Sequence, residues 1–318
     1  MRVFVTGGTG FLGSAVVRSL RAYHHEVVAI ARPNADRRDL ESMSGVDVIT
    51  GTFDDPDALR ESMRGCDGLC HVAGAAGRYY RARDHYDRSN EQLSLTVFRA
   101  ARQAGIRRAV YTGTVAMMYG QTTPYAASKR RGAEAARREA EDAMEVVAVH
   151  PSGMIGPWDR KPTPMGRAIA SFTAGTMRAV VGGGSGYIHV DDAAAGHVAA
   201  LERGEPGRDY ILDAEYWTTP DLFAALAEIT GRKRPMAIPV GLANALAVVI
   251  EPLYRMFGKT PPLTTFTTSY LSLPRSAHHG GEEARVALGL GGYRTIETAL
   301  EDAVRWFRDR GEAAEKVR

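Results

Sequence analysis

Tyr125 and Lys129 stand four residues apart in PYAASK, a spacing that puts both on one face of a helix. An ammonium beside a phenol favours the phenolate and draws the group toward the range in which it exchanges protons near neutrality. Just upstream, the run RRAVYTGT ends on Thr112 and Thr114, whose hydroxyls can hold a substrate oxygen, Thr114 being the first choice. Alone, Y-x-x-x-K is a common coincidence and most often an exposed helix pair, so its meaning depends on the element that carries it.

A second pattern supplies that context. Gly8, Gly10 and Gly13 give G-x-G-x-x-G directly after the run RVFVT and directly before a helical pattern, the setting of a dinucleotide fingerprint. Small residues let the backbone turn tightly and approach a pyrophosphate, whose charge rests on the N–H groups of the helix N-terminus. Gly7, Gly10, Phe11, Leu12 and Gly13 are expected around it; a Gly-rich turn without a ligand is the alternative. The next strand ends Ala29-Ile30-Ala31-Arg32, with no Asp or Glu to accept from both ribose hydroxyls of NAD. Arg32, with Arg37 and Arg38 behind it, suits a 2'-phosphate, which favours NADP over NAD. A solvated loop explains Arg37 or Arg38 more readily than Arg32.

The elements that must position these residues alternate along the chain. RVFVT, HEVVAIA, VDVIT, DGLCHVAG, RRAVYTGT and EVVAVHP are separated by helical patterns, which predicts a parallel sheet covered on both faces. The fold class is α/β: a Rossmann-type doubly wound sheet of six strands, a further strand DYIL, and a smaller, mostly helical C-terminal domain. Residues 1–160 and 187–215 are assigned to dinucleotide binding, and residues 161–186 and 216–318 to the substrate. Six prolines between 235 and 274 break the C-terminal part, and residues 296–310 read as the amphipathic helix that closes it.

Composition narrows the function classes. With 44% hydrophobic and 24% charged residues in 318, the chain is globular rather than fibrous or disordered. A net charge of +3, from 40 Lys and Arg against 37 Asp and Glu, is too even to imply nucleic acid. Cys66 and Cys70 lack companion ligands, so neither a metal nor a disulfide framework is expected, and a reducing compartment follows. The Gly-rich turn comes too soon after Met1 to leave room for a signal peptide's apolar core. Residues 237–250, the longest apolar stretch, fall short of the roughly 20 a spanning helix needs and read as a core helix. A cytoplasmic protein with no membrane partner is therefore expected.

Together these motifs resemble an extended short-chain dehydrogenase/reductase of the NAD(P)-dependent epimerase/dehydratase superfamily, over essentially the whole chain. Beside TGGTGFLG and YAASK, the resemblance rests on GCDGLCHVAG, Asn90 in the following helix, HPSGMIGP, and GYIHVDDAAAGHVAALERG with DYIL. ARPNADRRDL and KPTPMGRAI are similar to the dihydroflavonol reductase-like branch. The resemblance implies that Tyr125 is the general acid/base, that Lys129 binds the nicotinamide ribose and tunes Tyr125, and that Thr114 orients the carbonyl. It further implies that Ala73 and Gly74 line the cofactor, that Pro151 and Ser152 flank the nicotinamide, with Thr112 nearby, and that the helices after the fourth and fifth strands build a homodimer. Thr52 stands where the family often has Asp, Gly113-Thr114 where it has Ser-Ser, and Leu93 where it has a small residue.

Three functions remain in view: an NADP(H)-dependent carbonyl reductase or alcohol dehydrogenase, a nucleotide-sugar epimerase or dehydratase with tightly bound NAD, and a non-catalytic dinucleotide sensor. Ser185 and Ser152-Gly153, where sugar-nucleotide enzymes often carry Arg and Asn, argue against the second; Tyr125 with Lys129 argues against the third. Only eleven positions separate Thr114 from Tyr125, which predicts a wide mouth lined by Met117, Met118 and Tyr119 for an apolar or aromatic carbonyl compound. Arg78 and Tyr79, in RYYRAR, and Gly153 are placed on the substrate side. LANALAVVIEPLYRMFG and PPLTTFTTSYL either add apolar surface there or pack the core. His278 and His279 read as solvated loop residues, and Asp191 and Asp192 as the N-cap and dipole partner of a helix.

Overall fold

Val3, Phe4 and Val5 are fully buried because β1 (Arg2–Thr6) lies mid-sheet, between β2 (Glu26–Ala31) and β4 (Gly68–His71). The structure is a computed structural model that describes residues 1–75, 84–120, 123–141, 143–257, 261, 263–272, 275 and 278–311. β3 (Val46–Thr50) extends the sheet beyond β2; β5 (Arg108–Thr112) and β6 (Glu145–Pro151) extend it beyond β4. Every pairing is parallel, and the order is β3-β2-β1-β4-β5-β6-β10. The last strand, β10 (Asp209–Leu212), is DYIL, which joins the six expected strands as a seventh, pairing Asp209 with Ala148 and Leu212 with Pro151. It buries Tyr210 and Leu212 but leaves Asp209 and Ile211 half-covered, as an edge strand does.

Helices cover both faces. α1 (Phe11–Ala22) and α8 (Val190–Arg203) pack on one, sharing a core with Val5, Val16, Leu20, Ala194 and Val198. α3 (Pro56–Ser62), α4 (Leu93–Gln103) and α6 (Pro124–Ala140) pack on the other, around Phe4, Leu69, Phe98 and Tyr111. The short α2 (Arg38–Glu41) follows β2 and α5 (Val115–Met118) follows β5. A three-stranded sheet of β7 (Gly153–Ile155), β9 (Gly184–His189) and β11 (Glu215–Thr218), and a pair formed by β8 (Ala179–Val181) and β12 (Met236–Ile238), lie against the C-terminal helices. There α7 (Pro164–Thr173), α9 (Thr219–Thr230) and α13 (Ile296–Asp309) enclose a third core of Ile155, Phe172, Leu222, Leu300 and Phe307. α10 (Val240–Met256) packs on α11 (Thr265–Leu271), and α12 (Gly281–Ala287) on β10.

Two expectations are corrected. α8 is capped by His189, whose Nδ1 accepts from the Asp191 N–H at 3.0 Å, because the helix begins at Val190. Asp191 and Asp192 occupy its first turn, where they face the helix dipole and pair with Arg18 and Arg294. The helix read as core is instead mostly surface: α10 buries Ala243 and Ala247, but Leu242 is 55% exposed and Val249 61%. Its hydrogen bonds explain the orientation. Asn244 Oδ1 accepts from the Thr268 hydroxyl at 2.7 Å and Glu251 from Thr265, so the small and polar side turns to α11.

Phe307→Ala is expected to lower the unfolding free energy by about 3–5 kcal/mol, since the ring is fully buried. Val249→Ala should change it by less than about 0.5 kcal/mol. Chemical denaturation of both variants checks the contrast.

Candidate active site

Strand order reverses between β1 and β4, which opens a crevice at their C-terminal ends. Gly7, at φ +76°, begins the turn that fills it; a Cβ there would lie 2.7 Å from the Ala73 nitrogen. A Cβ on Gly13 would come within 2.0 Å of the Gly7 carbonyl oxygen, so glycine is what lets α1 start this close to the strand. The helix has no side-chain cap at Gly10 and no acidic residue in its first turn, which leaves its first N–H groups for an anion. Leu12 is buried beneath, and Phe11 packs against the same core. Gly8, Thr9, Gly10, Asp39, Trp158 and Arg160 line the cleft above the turn.

At the end of β2 the three arginines differ. Arg37 reaches Thr50 and Glu41, and Arg38 is held by Asp36 at 2.8 Å. The exposed guanidinium of Arg32 has no hydrogen bond or ion pair among the described residues.

α6 begins at a Thr-Pro step. The Thr123 hydroxyl accepts from Ala126 N at 3.2 Å and Pro124 takes the first helical position, which fixes Tyr125 in the first turn. One turn on, Lys129 is buried, and its Nζ donates to the Thr112 carbonyl at 3.0 Å. Burial pushes this ammonium down to about 8. Gly74 lies directly over it: a Cβ would sit 2.7 Å from Asn90 Oδ1 and 2.9 Å from Lys129 Nζ. The ring of Tyr125 packs against that of Tyr86, tilted by 51° with centres 5.6 Å apart.

Asn90 sits in a π-helical turn, Asp87–Gln92, that runs into α4. Its Oδ1 accepts from Ala75 N at 2.8 Å, and its Nδ2 donates to Ser128 Oγ, which donates to the Tyr125 carbonyl. A second chain joins the glycine turn to the same residue. The Ala73 N–H donates to Thr6 Oγ1, Thr6 bonds His71 Nδ1 at 2.9 Å, and His71 Nε2 bonds Ser94 Oγ at 3.1 Å. Ser94 gives its proton to the Asn90 carbonyl, so His71 Nε2 is the donor to Ser94 and Thr6 the donor to His71. Burial, helped by Lys129, lowers His71 to about 3, which keeps the ring neutral as this pattern requires.

Beyond β5 the threonines part. Thr114 caps α5, its Oγ1 accepting from Ala116 N at 3.3 Å, with its own proton unassigned to any partner. The Thr112 hydroxyl turns away to His197 Nε2 at 3.0 Å, so only its carbonyl reaches Lys129. His197 is held near 4 by burial, its Nδ1 donating to Ala193. At the end of β6, Pro151 and Ser152 are buried, and the Ser152 hydroxyl has no hydrogen-bond partner among the described residues. His150 bonds Asp209 at 2.6 Å; burial lowers His150. Burial pushes Asp209 upward, but His150 and Arg137 outweigh it and leave this carboxyl below its ordinary value.

The residues expected on the substrate side lie in different surroundings. Met117 belongs to the core beneath α5, whereas Met118 is exposed. The shortened segment thus packs one of its methionines rather than lining a mouth with both. Tyr119 donates to Asp213 Oδ2 at 3.0 Å, and burial followed by that carboxylate raises its phenol. His278 is a correction: its side chain is buried against Tyr119 and Tyr216, with Nδ1 3.4 Å from Asp213, because Gly280 and Gly281 let the loop close on β10. Gly153 leaves room for the ring of Tyr187. Arg78 and Tyr79 lie outside the described residues. Sequence reasoning missed His71, His197 and the Asp213–His278 pair, none of which has a local motif. No group of three metal-ligating side chains occurs among the described residues.

These residues fit a dinucleotide: glycines where a Cβ would clash, an uncapped helix N-terminus, and an unpartnered buried hydroxyl at Ser152. Residues 3–212 match the family described as NAD dependent epimerase/dehydratase, and the chain belongs to it. It is an extended short-chain dehydrogenase/reductase, in a family of Rossmann-fold oxidoreductases that use nicotinamide cofactors. It is 34% identical to a putative dihydroflavonol 4-reductase from Synechocystis sp., across 97% of this chain and 95% of that one. It is 30% identical to a 2-alkyl-3-oxoalkanoate reductase from Stenotrophomonas maltophilia, across 94% and 97%. The solved structure of a nucleoside-diphosphate-sugar epimerase from Pseudomonas aeruginosa matches with a TM-score of 0.78 at 26% identity, over 98% of both chains.

The buried neutral histidines set a pH dependence. Below pH 6.5 the unfolded chain protonates at His71 and His197 while the folded state does not until about 3 and about 4. Stability should therefore fall as pH drops from 6.5 toward 4, by about 1.4 kcal/mol per unit for each such ring. Denaturation at pH 6 and pH 5 measures the slope, which His197→Gln should lower by one histidine's share.

Proposed function

We propose that the protein is an NADP(H)-dependent carbonyl reductase, or in reverse an alcohol dehydrogenase, for an apolar or aromatic ketone or aldehyde. The observation that carries this reading is the buried Lys129 one helical turn after Tyr125, pinned by the Thr112 carbonyl beneath Gly74. With a pKa near 8 it stays largely cationic at neutral pH. Its charge favours the phenolate of Tyr125, so that residue can give a proton to a carbonyl oxygen and take it back in the reverse direction. Thr114 offers a second hydroxyl for the same oxygen. Gly7, Gly10, Gly13 and the start of α1 would hold the pyrophosphate, Ala73 and Gly74 the ribose side, and Pro151 and Ser152 the nicotinamide. When bound, NADPH supplies the hydride. The unengaged Arg32 supports the 2'-phosphate preference, and relatives named as reductases, one of an alkyl-bearing oxo acid, support the substrate class.

Tyr125→Phe should lower kcat at least about 100-fold while leaving NADPH binding unchanged, as titration and turnover will show. Wild type should prefer NADP over NAD by roughly tenfold to hundredfold, and Arg32→Ala should abolish the preference. Tightly retained NAD in the purified protein, together with epimerisation of a nucleotide sugar, would overturn the reading.

A further inference from the structure

Leu242, Leu246, Val249, Leu253, Met256 and Phe257 are between 43% and 78% exposed. All but Phe257 belong to α10, and at helical spacing they fall on the side away from Ala243 and Ala247, which contact the fold. Glu251 is the only charged residue between Val240 and Tyr254, and it turns inward to Thr265. Solvent thus meets a continuous apolar face where a monomeric protein ordinarily carries only scattered apolar residues.

The segment leading into this helix is basic. Arg232, Lys233 and Arg234 follow α9, and with Arg178 they line a cleft of about 450 Å³. Arg234 pairs with Glu228 at 3.0 Å, while Arg178, Arg232 and Lys233 have no carboxylate partner among the described residues. Backbone bonds fasten the two features together: Met236 N donates to the Arg178 carbonyl at 3.0 Å, and Met236, itself 69% exposed, opens the strand that enters α10.

We propose that α10 and the cleft of Arg178, Arg232 and Lys233 form a docking surface for an anionic lipid bilayer. The apolar side chains enter the acyl boundary and the cations meet headgroup phosphates. Charge favours this occupant over a second copy of the chain, because the three cations call for anionic groups and the one carboxylate of α10, Glu251, is turned to Thr265. The contact is superficial: among the described residues no helix is long and apolar enough to cross a membrane. It departs from the expectation of no membrane partner, which rested on the lack of a spanning segment and did not consider a surface that lies on the bilayer.

The test is co-sedimentation of the full chain with vesicles of phosphatidylglycerol and phosphatidylcholine, or of phosphatidylcholine alone. Binding should require phosphatidylglycerol and weaken with salt. Leu246→Asp with Val249→Asp, and separately Arg232→Glu with Lys233→Glu, should each lower partitioning at least about tenfold without changing the melting temperature. No binding to phosphatidylglycerol vesicles at low salt, or equal binding to phosphatidylcholine alone, overturns the proposal. So does a wild-type dimer in solution that the Leu246→Asp, Val249→Asp variant dissociates, since α10 then meets its own copy. Sedimentation is read without substrate, so its outcome stands apart from the reductase reading.

Discussion

Lys129 carries its ammonium at 5% exposure, and the cost of desolvating it governs how the surrounding elements meet. The Thr112 carbonyl must end β5 within hydrogen-bond reach of Nζ, and the ring of Tyr111 lies 5.6 Å away. Residue 74 must lack a side chain, because its backbone passes over both this cation and Asn90. His71, on the adjoining strand, must be neutral beside it. A strand end, a glycine, a polar helical turn and a helix N-terminus are thereby fixed in relation to one charge.

The glycine turn and the Tyr125–Lys129 pair share one frame. Thr6 lies at the end of β1, before the glycines, and its hydroxyl ties Ala73 to His71, which reaches Asn90 through Ser94. Asn90 in turn holds Ser128, on the turn of α6 between Tyr125 and Lys129. Every polar group along this route has a partner, which is what permits burial of the route. The route thus runs without a break from the glycine turn to the backbone carbonyl of Tyr125.

Legibility followed sequence distance. The glycine turn, the Y-x-x-x-K pair and the β-branched strands are local patterns, and the sheet they specify is the one observed. DYIL was read as a strand, but its place beside β6 depends on pairing across 61 residues, Asp209 with Ala148. The His71–Thr6 and His197–Thr112 bonds join residues 65 and 85 apart, beyond any spacing rule. Hydropathy marked α10 as apolar but does not say which side meets protein; Asn244 and Glu251 settle that through Thr268 and Thr265. Met117 and Met118 are chemically alike, and only the direction of α5 sends one inward.

The π-helical turn at Asp87–Gln92 has a consequence for how this chain can change length. A π turn closes its hydrogen bond over one more residue than an α turn, so it acts as a one-residue insertion that α4 absorbs without losing its packed face. Removing a single residue between Asn90 and Leu93 would restore α geometry and rotate Asn90 by about 100° relative to Val97 and Phe98. Those two residues are fully buried and hold the phase of α4, so the rotation would fall on Asn90 and carry its amide away from Ala75 and Ser128. The length of this turn, and not only the identity of its residues, is thus bound to the position of the Asn90 amide.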